Sequence, residues 1–326
     1  MLTIIVLLVV LAMVGFGVRW RVRLWEDRLI AELQAGSQRA ETARGSVEYA
    51  REGQGPVVLF LHGSLGGYDQ GMIYLRALLQ GQPYTLLALS RPGYGRTPLE
   101  VGRTYPEAAD AVAALLDKLG IDKVAVMGTS GGGATVLQVA LRHPQRCWAM
   151  VLISCATREK GYKPNFLERM MMTGLTFWLM SFFPKSARKQ ALKNYEPQSQ
   201  ALKDPQKVEI ADALMKSLSP TRVRVPGTMN EAEEYARLGV YPVERINVPT
   251  LVIHGKRDPA VPFGDGEFVA KKVPGAAHYW LEHGGHAPIL ADESEEVKSC
   301  LIAFLKKNAP ARQEGSNPPR PSGPCP

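Results

Sequence analysis

The residues best placed to do chemistry are Gly128-Thr129-Ser130-Gly131-Gly132-Gly133. The apolar run 124–127 leads straight into them, and the helical pattern ATVLQVALRH follows. This is G-x-S-x-G between a strand and a helix, the setting in which the motif carries meaning. A tight turn there lifts the Ser130 hydroxyl off the end of a sheet, and its small neighbours relieve crowding. The helix that follows points its free N–H groups and positive dipole end at the serine, where negative charge must develop. The chemistry is nucleophilic attack on a carbonyl.

A serine hydroxyl is a weak nucleophile at neutral pH and needs a base, which in turn needs an acid to orient it. Of six histidines, His62 and His254 end apolar runs and His143 ends the helix after the serine. His286, in HGGHAPIL, sits on a glycine-rich loop from which an imidazole can reach the serine; His283 competes with it, and His278 begins a strand. For the acid, Asp258 in HGKRDPAVP stands just past an apolar run, where open α/β sheets build their sites. Asp265 is the alternative. The chain order becomes Ser130, Asp258, His286.

Positioning these groups takes a sheet. Short apolar runs at 57–61, 84–89, 124–127, 150–153 and 251–254 read as strands buried on both faces, with 46–50 and a weaker 276–281 beside them. Helical patterns alternate with them; Thr104 and Glu107 form a capping box ahead of a helix that closes at Gly120. Strands alternating with helices imply a mostly parallel sheet covered on both faces. The alternation stops over 156–247, which reads as a helical insertion, with FLERMMMTGLTFWLMSFF and KVEIADALMKSL as its clearest helices. The Met- and aromatic-rich stretch 170–183 either packs the insertion onto the body or lines a lipophilic pocket.

At 326 residues with 45% hydrophobic and 21% charged residues, the chain is globular and excludes a polytopic membrane protein. Residues 2–18 are apolar and uncharged, and arginines follow at 19, 21 and 23. Seventeen helical residues cover about 25 Å, so 1–18 is expected to be a single-pass anchor, 19–44 a juxtamembrane helix and linker, and the body to lie on the cytoplasmic side. The net charge of +8 owes +5 to residues 156–246, which carry 15 Lys/Arg against 10 Asp/Glu. These charges interleave with no aromatic–basic ladder, which argues against nucleic acid and suits a solvated face or an anionic lipid surface. The four cysteines form no C-x-x-C pair, and no metal or cofactor pattern is present. Residues 309–326, rich in Pro, Ser and Gly, read as a disordered tail.

The elbow, the order of the three residues and an insertion before the acid resemble the α/β-hydrolase superfamily over roughly 45–307. His62-Gly63-Ser64-Leu65-Gly66-Gly67 and Ser90-Arg91-Pro92-Gly93-Tyr94-Gly95-Arg96-Thr97 are further matching segments. The resemblance implies two core parts, 45–155 and 248–308, with a helical cap over 156–247. It also implies an oxyanion hole from the backbone N–H groups of Ser64 and Gly131, Leu65 being a weaker donor. Many members carry Asp where this chain has Ser90, which removes a carboxylate that orders the loop. A serine rather than an aspartate at 130 argues against the epoxide hydrolases and haloalkane dehalogenases of the superfamily. The function implied is hydrolysis of a carboxylic ester, lipophilic if the insertion lines the pocket, through an acyl-enzyme and with no cofactor. An acyltransferase or perhydrolase-like enzyme using the same three residues, and a catalytically silent binding protein on this fold, are the alternatives.

Overall fold

The computed structural model describes residues 2–158, 172–196, 199–237 and 239–310. Eight strands form one sheet: β1 (Gln38–Thr42), β2 (Gly45–Gly53), β3 (Val57–Leu61), β4 (Thr85–Leu89), β5 (Val124–Ser130), β6 (Cys147–Cys155), β7 (Thr250–Gly255) and β8 (Ala277–Leu281), in the order β1-β2-β4-β3-β5-β6-β7-β8. The β1–β2 and β2–β4 pairings are antiparallel and the rest parallel.

Strand periodicity sorts the core into two layers. On one face Leu59, Leu61, Val124, Val126 and Leu152 pack against α3 (Tyr105–Lys118), α4 (Gly133–Arg142) and α9 (Phe263–Lys272). On the other, Val58, Phe60, Ala125, Met127 and Ile253 meet α2 (Tyr68–Leu79) and α10 (Ser294–Asn308). Successive side chains point to opposite faces, so an unbroken apolar run fills both layers at once. The capping box of α3 forms: Thr104 Oγ1 accepts from the Glu107 amide, and the Glu107 carboxylate accepts from the Thr104 amide. Between β6 and β7 lie α5 (Gly174–Met180), α6 (Pro184–Tyr195), α7 (Pro205–Lys216) and α8 (Val225–Tyr235). The expected helix over 166–183 falls partly outside the described residues, as does nearly all of the expected tail.

The N-terminal segment departs from expectation. Residues 2–35 form one helix, α1 (Leu2–Ala35), and 38–42 form strand β1 rather than a linker. Strand β1 is an edge strand whose one buried side chain is Ala40, so its sequence, QRAET, holds no apolar signal. Among the described residues no helix is long and apolar enough to cross a membrane. This overturns the single-pass anchor over 1–18, the membrane as a partner and the orientation drawn from them. The apolar stretch ends at Arg19, so it covers about 25 Å of helix against a hydrocarbon core of about 30 Å. Further along, α1 packs on the body: buried Glu26 accepts from Thr221 Oγ1 at 2.9 Å, and Tyr68 Oη donates to Leu33 O at 2.6 Å. Some basic residues of the insertion are paired, Lys216 with Glu32, Arg222 with Asp27 and Arg224 with Asp69.

Candidate active site

The chain leaves β5 at Ser130 and enters α4 three residues later. Ser130 has φ 50°, a left-handed conformation that a non-glycine residue holds only when its surroundings enforce it. Here the Ser130 carbonyl accepts from the Ala156 amide at 3.0 Å, and the Gly132 amide closes the turn onto Thr129 O at 2.8 Å. Gly132 cannot be replaced cheaply, since a Cβ there would lie 2.5 Å from Leu61 O and 2.7 Å from His62 O.

His286 and Asp258 meet. His286 Nδ1–H donates to Asp258 Oδ2 at 2.8 Å, and the other carboxylate oxygen accepts from the amides of Ala260 and Val261, both at 2.8 Å. A second histidine shares the acid: His254, fully buried at the end of β7, lies with Nε2 3.3 Å from Asp258 Oδ2 and 3.1 Å from Val261 O. Burial pushes the Asp258 carboxyl up, but the hydrogen bonds from His254 and His286 outweigh it and hold the group well below the usual carboxylate range. Asp258 is therefore a fixed anion that holds the His286 ring at Nδ1, and His286 and Ser130 line one cavity.

The alternatives are placed elsewhere. His283 is exposed, and His278 stacks on Trp280 on the exposed edge strand β8. His143 bonds Asp110 at 2.9 Å. Asp265 is buried on α9 and serves the end of β6, accepting from the Thr157 amide and pairing with Arg158.

The loop after β3 lies against the elbow. Among the described residues, the Ser64 and Gly131 amides have no hydrogen-bond acceptor, whereas the Leu65 amide donates to Thr228 Oγ1 at 3.0 Å. His62 braces this loop from below: its Nδ1–H donates to Gly63 O at 2.7 Å, and its Nε2 accepts from the Arg91 amide at 3.0 Å. Burial, followed by the Arg91 charge, holds its pKa well below the usual value, so it stays neutral.

Two carboxylates of the insertion reach this machinery, and nothing in the sequence singles them out. Glu231 of α8 accepts from Ser64 Oγ at 2.5 Å, Tyr94 Oη at 2.8 Å and Arg91 at 2.5 Å. Glu196, just past α6, accepts from the amides on either side of His286. A third carboxylate corrects an expectation: Ser90 does not leave its loop without one. Glu48, buried on β2, accepts from Ser90 Oγ at 2.8 Å, from the Arg96 amide at 3.0 Å and from Arg96 Nε at 2.8 Å. The neighbouring strand supplies the charge.

Ser130, His286 and Ser64 open onto one cavity of about 310 Å³ whose walls are mainly apolar, with Leu192, Leu214, Met215, Leu218 and Leu290 among them. Of the described part of the Met- and aromatic-rich stretch, Met172 lines this cavity, while Leu175, Leu179, Phe182 and Phe183 are exposed.

Comparison with known proteins adds a family. A model described as the alpha/beta hydrolase fold matches residues 56–292. An uncharacterized hydrolase of Bacillus subtilis, YcgS, is 26% identical over 80% of this chain and 95% of its own. A pimeloyl-[acyl-carrier protein] methyl ester esterase of Chromobacterium violaceum is 27% identical over 79% of this chain and 97% of its own. Among solved structures, an alpha/beta hydrolase fold protein from Nakamurella multipartita superposes with a TM-score of 0.76 at 28% identity, covering 83% of this chain and 99% of that one.

Proposed function

This chain belongs to the alpha/beta hydrolase family and is a hydrolase acting on ester bonds; from that footing we propose that it is a serine esterase for lipophilic carboxylic esters, working through an acyl-enzyme. The observation that carries the reading is the left-handed Ser130 sharing a cavity with a His286 whose Nδ1 is bound to a buried, anionic Asp258.

In the proposed reaction the substrate carbonyl carbon lies over Ser130 Oγ. His286 Nε2 takes the hydroxyl proton as Oγ attacks, and Asp258 keeps the proton-bearing nitrogen fixed and stabilises the imidazolium. The oxyanion forms against the Ser64 and Gly131 amides, at the N-terminus of α4. One such donor is worth about 2.7–4 kcal/mol in the transition state. Glu231 would oppose a nearby anion, but Arg91 pairs with it and cancels much of that field. Collapse expels the alcohol, protonated by His286; water activated by the same imidazole then releases the acid.

Apolar walls favour acyl chains that displace water from them, at about 0.8 kcal/mol per buried CH₂. The test is labelling by a fluorophosphonate probe, expected for the wild-type chain and lost in Ser130→Ala, followed by p-nitrophenyl esters of increasing chain length. Folded wild-type protein that resists the probe would remove the enzyme mechanism. Equal kcat/KM for acetyl and octanoyl esters would remove the lipophilic substrate.

A further inference from the structure

The loop carrying His286 is held by the insertion through three consecutive backbone amides. Gly285 N–H donates to Glu196 Oε2 at 2.8 Å, His286 N–H to Tyr195 O at 2.7 Å, and Ala287 N–H to Glu196 Oε1 at 2.6 Å. One dipeptide at the end of α6 therefore takes every amide around the histidine. The approach is close: a Cβ on Gly285 would lie 2.0 Å from Tyr195 O and 3.2 Å from the Glu196 carboxyl carbon. Glu196 is almost fully buried, and the Glu196 amide in turn donates to Leu192 O at 2.7 Å, which locks the dipeptide to α6. Both Glu196 and Tyr195 line the cavity that holds Ser130.

We propose that Glu196 is a positioning residue for His286, its carboxylate fixing the histidine's backbone while Asp258 fixes its ring. The proposal rests on His286 being the base. A residue 90 positions upstream, in a different structural layer, then sets the distance between imidazole and serine. Asp258 alone leaves the ring free to move with its loop, because a single hydrogen bond at Nδ1 is satisfied over a range of backbone positions. Bonds on both flanking amides, with a third on the His286 amide, remove that freedom. Glu196 acts through these backbone amides, one on each carboxylate oxygen. It also binds two parts of the protein together: any shift of α6 on substrate entry moves the base, so the insertion and the catalytic loop act as one unit.

The groups facing the carboxylate are Asp258 and His286 on their loops, Glu293 ahead of α10 and Tyr74 of α2. Burial pushes Glu196 up to about 7, against the pull of the Gly285 and Ala287 amides and with Asp258 and Glu293 adding to the rise. Two amide donors favour the ionised form, which accepts strongly at each oxygen; a protonated carboxyl accepts more weakly at its hydroxyl oxygen.

The experiment compares full-length wild type, Glu196→Ala and Glu196→Gln. Its readouts are kcat and KM on a short p-nitrophenyl ester and the low-field proton NMR signal of the His286–Asp258 hydrogen bond, assigned by its loss in Asp258→Asn. Glu196→Ala is expected to lower kcat about 100-fold, the scale of a misplaced catalytic group, with KM within about threefold, and to broaden or shift the signal. Glu196→Gln keeps one acceptor and falls between the two. A folded Glu196→Ala with wild-type kcat and an unchanged signal overturns the proposal. If that variant does not fold, a wild-type kcat in Glu196→Gln does so instead. The NMR signal reports the hold on His286 whether or not Ser130 is the nucleophile, whereas full activity in Ser130→Ala would count against the esterase mechanism alone.

Discussion

Gly131→Ala is a substitution whose sign the structure decides. Elsewhere on a backbone with ordinary dihedrals, replacing glycine by alanine stabilises a protein by about 0.4–1 kcal/mol, because the unfolded chain loses freedom. At position 131 a Cβ would stand 1.8 Å from Glu231 Oε1 and 2.8 Å from Ser64 Oγ. Three donors pin that carboxylate, Ser64 Oγ, Tyr94 Oη and Arg91, so it cannot swing aside without giving them up. The ion pair it makes with Arg91 is buried, with 5% and 9% of the two side chains exposed. Breaking a buried pair by removing one partner costs about 3–5 kcal/mol. Less the entropic gain, Gly131→Ala should destabilise by about 2–5 kcal/mol. Urea denaturation of wild type, Gly131→Ala, Glu231→Ala and the double variant provides the assay. Since both single changes break the same pair, the double variant should be little less stable than either alone, a strongly non-additive cycle. Activity should fall with stability, because Ser64 and Gly131 carry the proposed oxyanion amides. A neutral or stabilising Gly131→Ala, or additive effects in the cycle, would refute the reasoning.

Two further outcomes can be checked directly. Asp258→Asn keeps the shape of the site but lets His286 adopt the wrong tautomer, and kcat should fall by about 10⁴ with the fold intact. Glu196 makes stability depend on pH: its carboxyl rises from 4.5 to about 7 on folding, so the folded state favours the neutral form. The associated stability is fully present below pH 4.5 and lost as pH rises through about 7, about 3 kcal/mol in all. Measured against Glu196→Gln, which does not titrate, wild type should lose that amount of relative stability between pH 4.5 and 8; a gap that stays constant over the range would show that the carboxyl is not buried as described.

The Glu196 prediction also separates two demands on one residue. The ionised form suits the amides that hold His286, while burial opposes that charge. On the proposed mechanism, the fold gives up stability at neutral pH to hold His286 in place.

Much of the fold was legible because it rests on local patterns. Apolar runs of four to six residues named the inner strands, and Thr104, Glu107 and Gly120 marked out α3. Strand β1 was not legible, since an edge strand with one buried side chain has nothing to distinguish it from a linker. The N-terminal helix was misread for a different reason: an apolar composition says which solvent side chains prefer, but not how a continuous helix running on to Ala35 packs against the body. Ser130 is legible in the sequence because strand, turn and helix around it are contiguous, and the steric demands of that turn fall on neighbouring glycines. Asp258 and His286 could be named from their loops at the ends of strands, but only the tertiary structure brings them to 2.8 Å. The groups that surround these three are set entirely by long-range packing. Glu231 meets Ser64 across 167 positions, Glu196 meets Gly285 across 89, and Glu48 reaches Ser90 across 42. Each is an ordinary glutamate in its own segment. A carboxylate gains its role only when burial strips away its water and leaves a particular set of donors to replace it, and which donors those are depends on where the folded chain puts them.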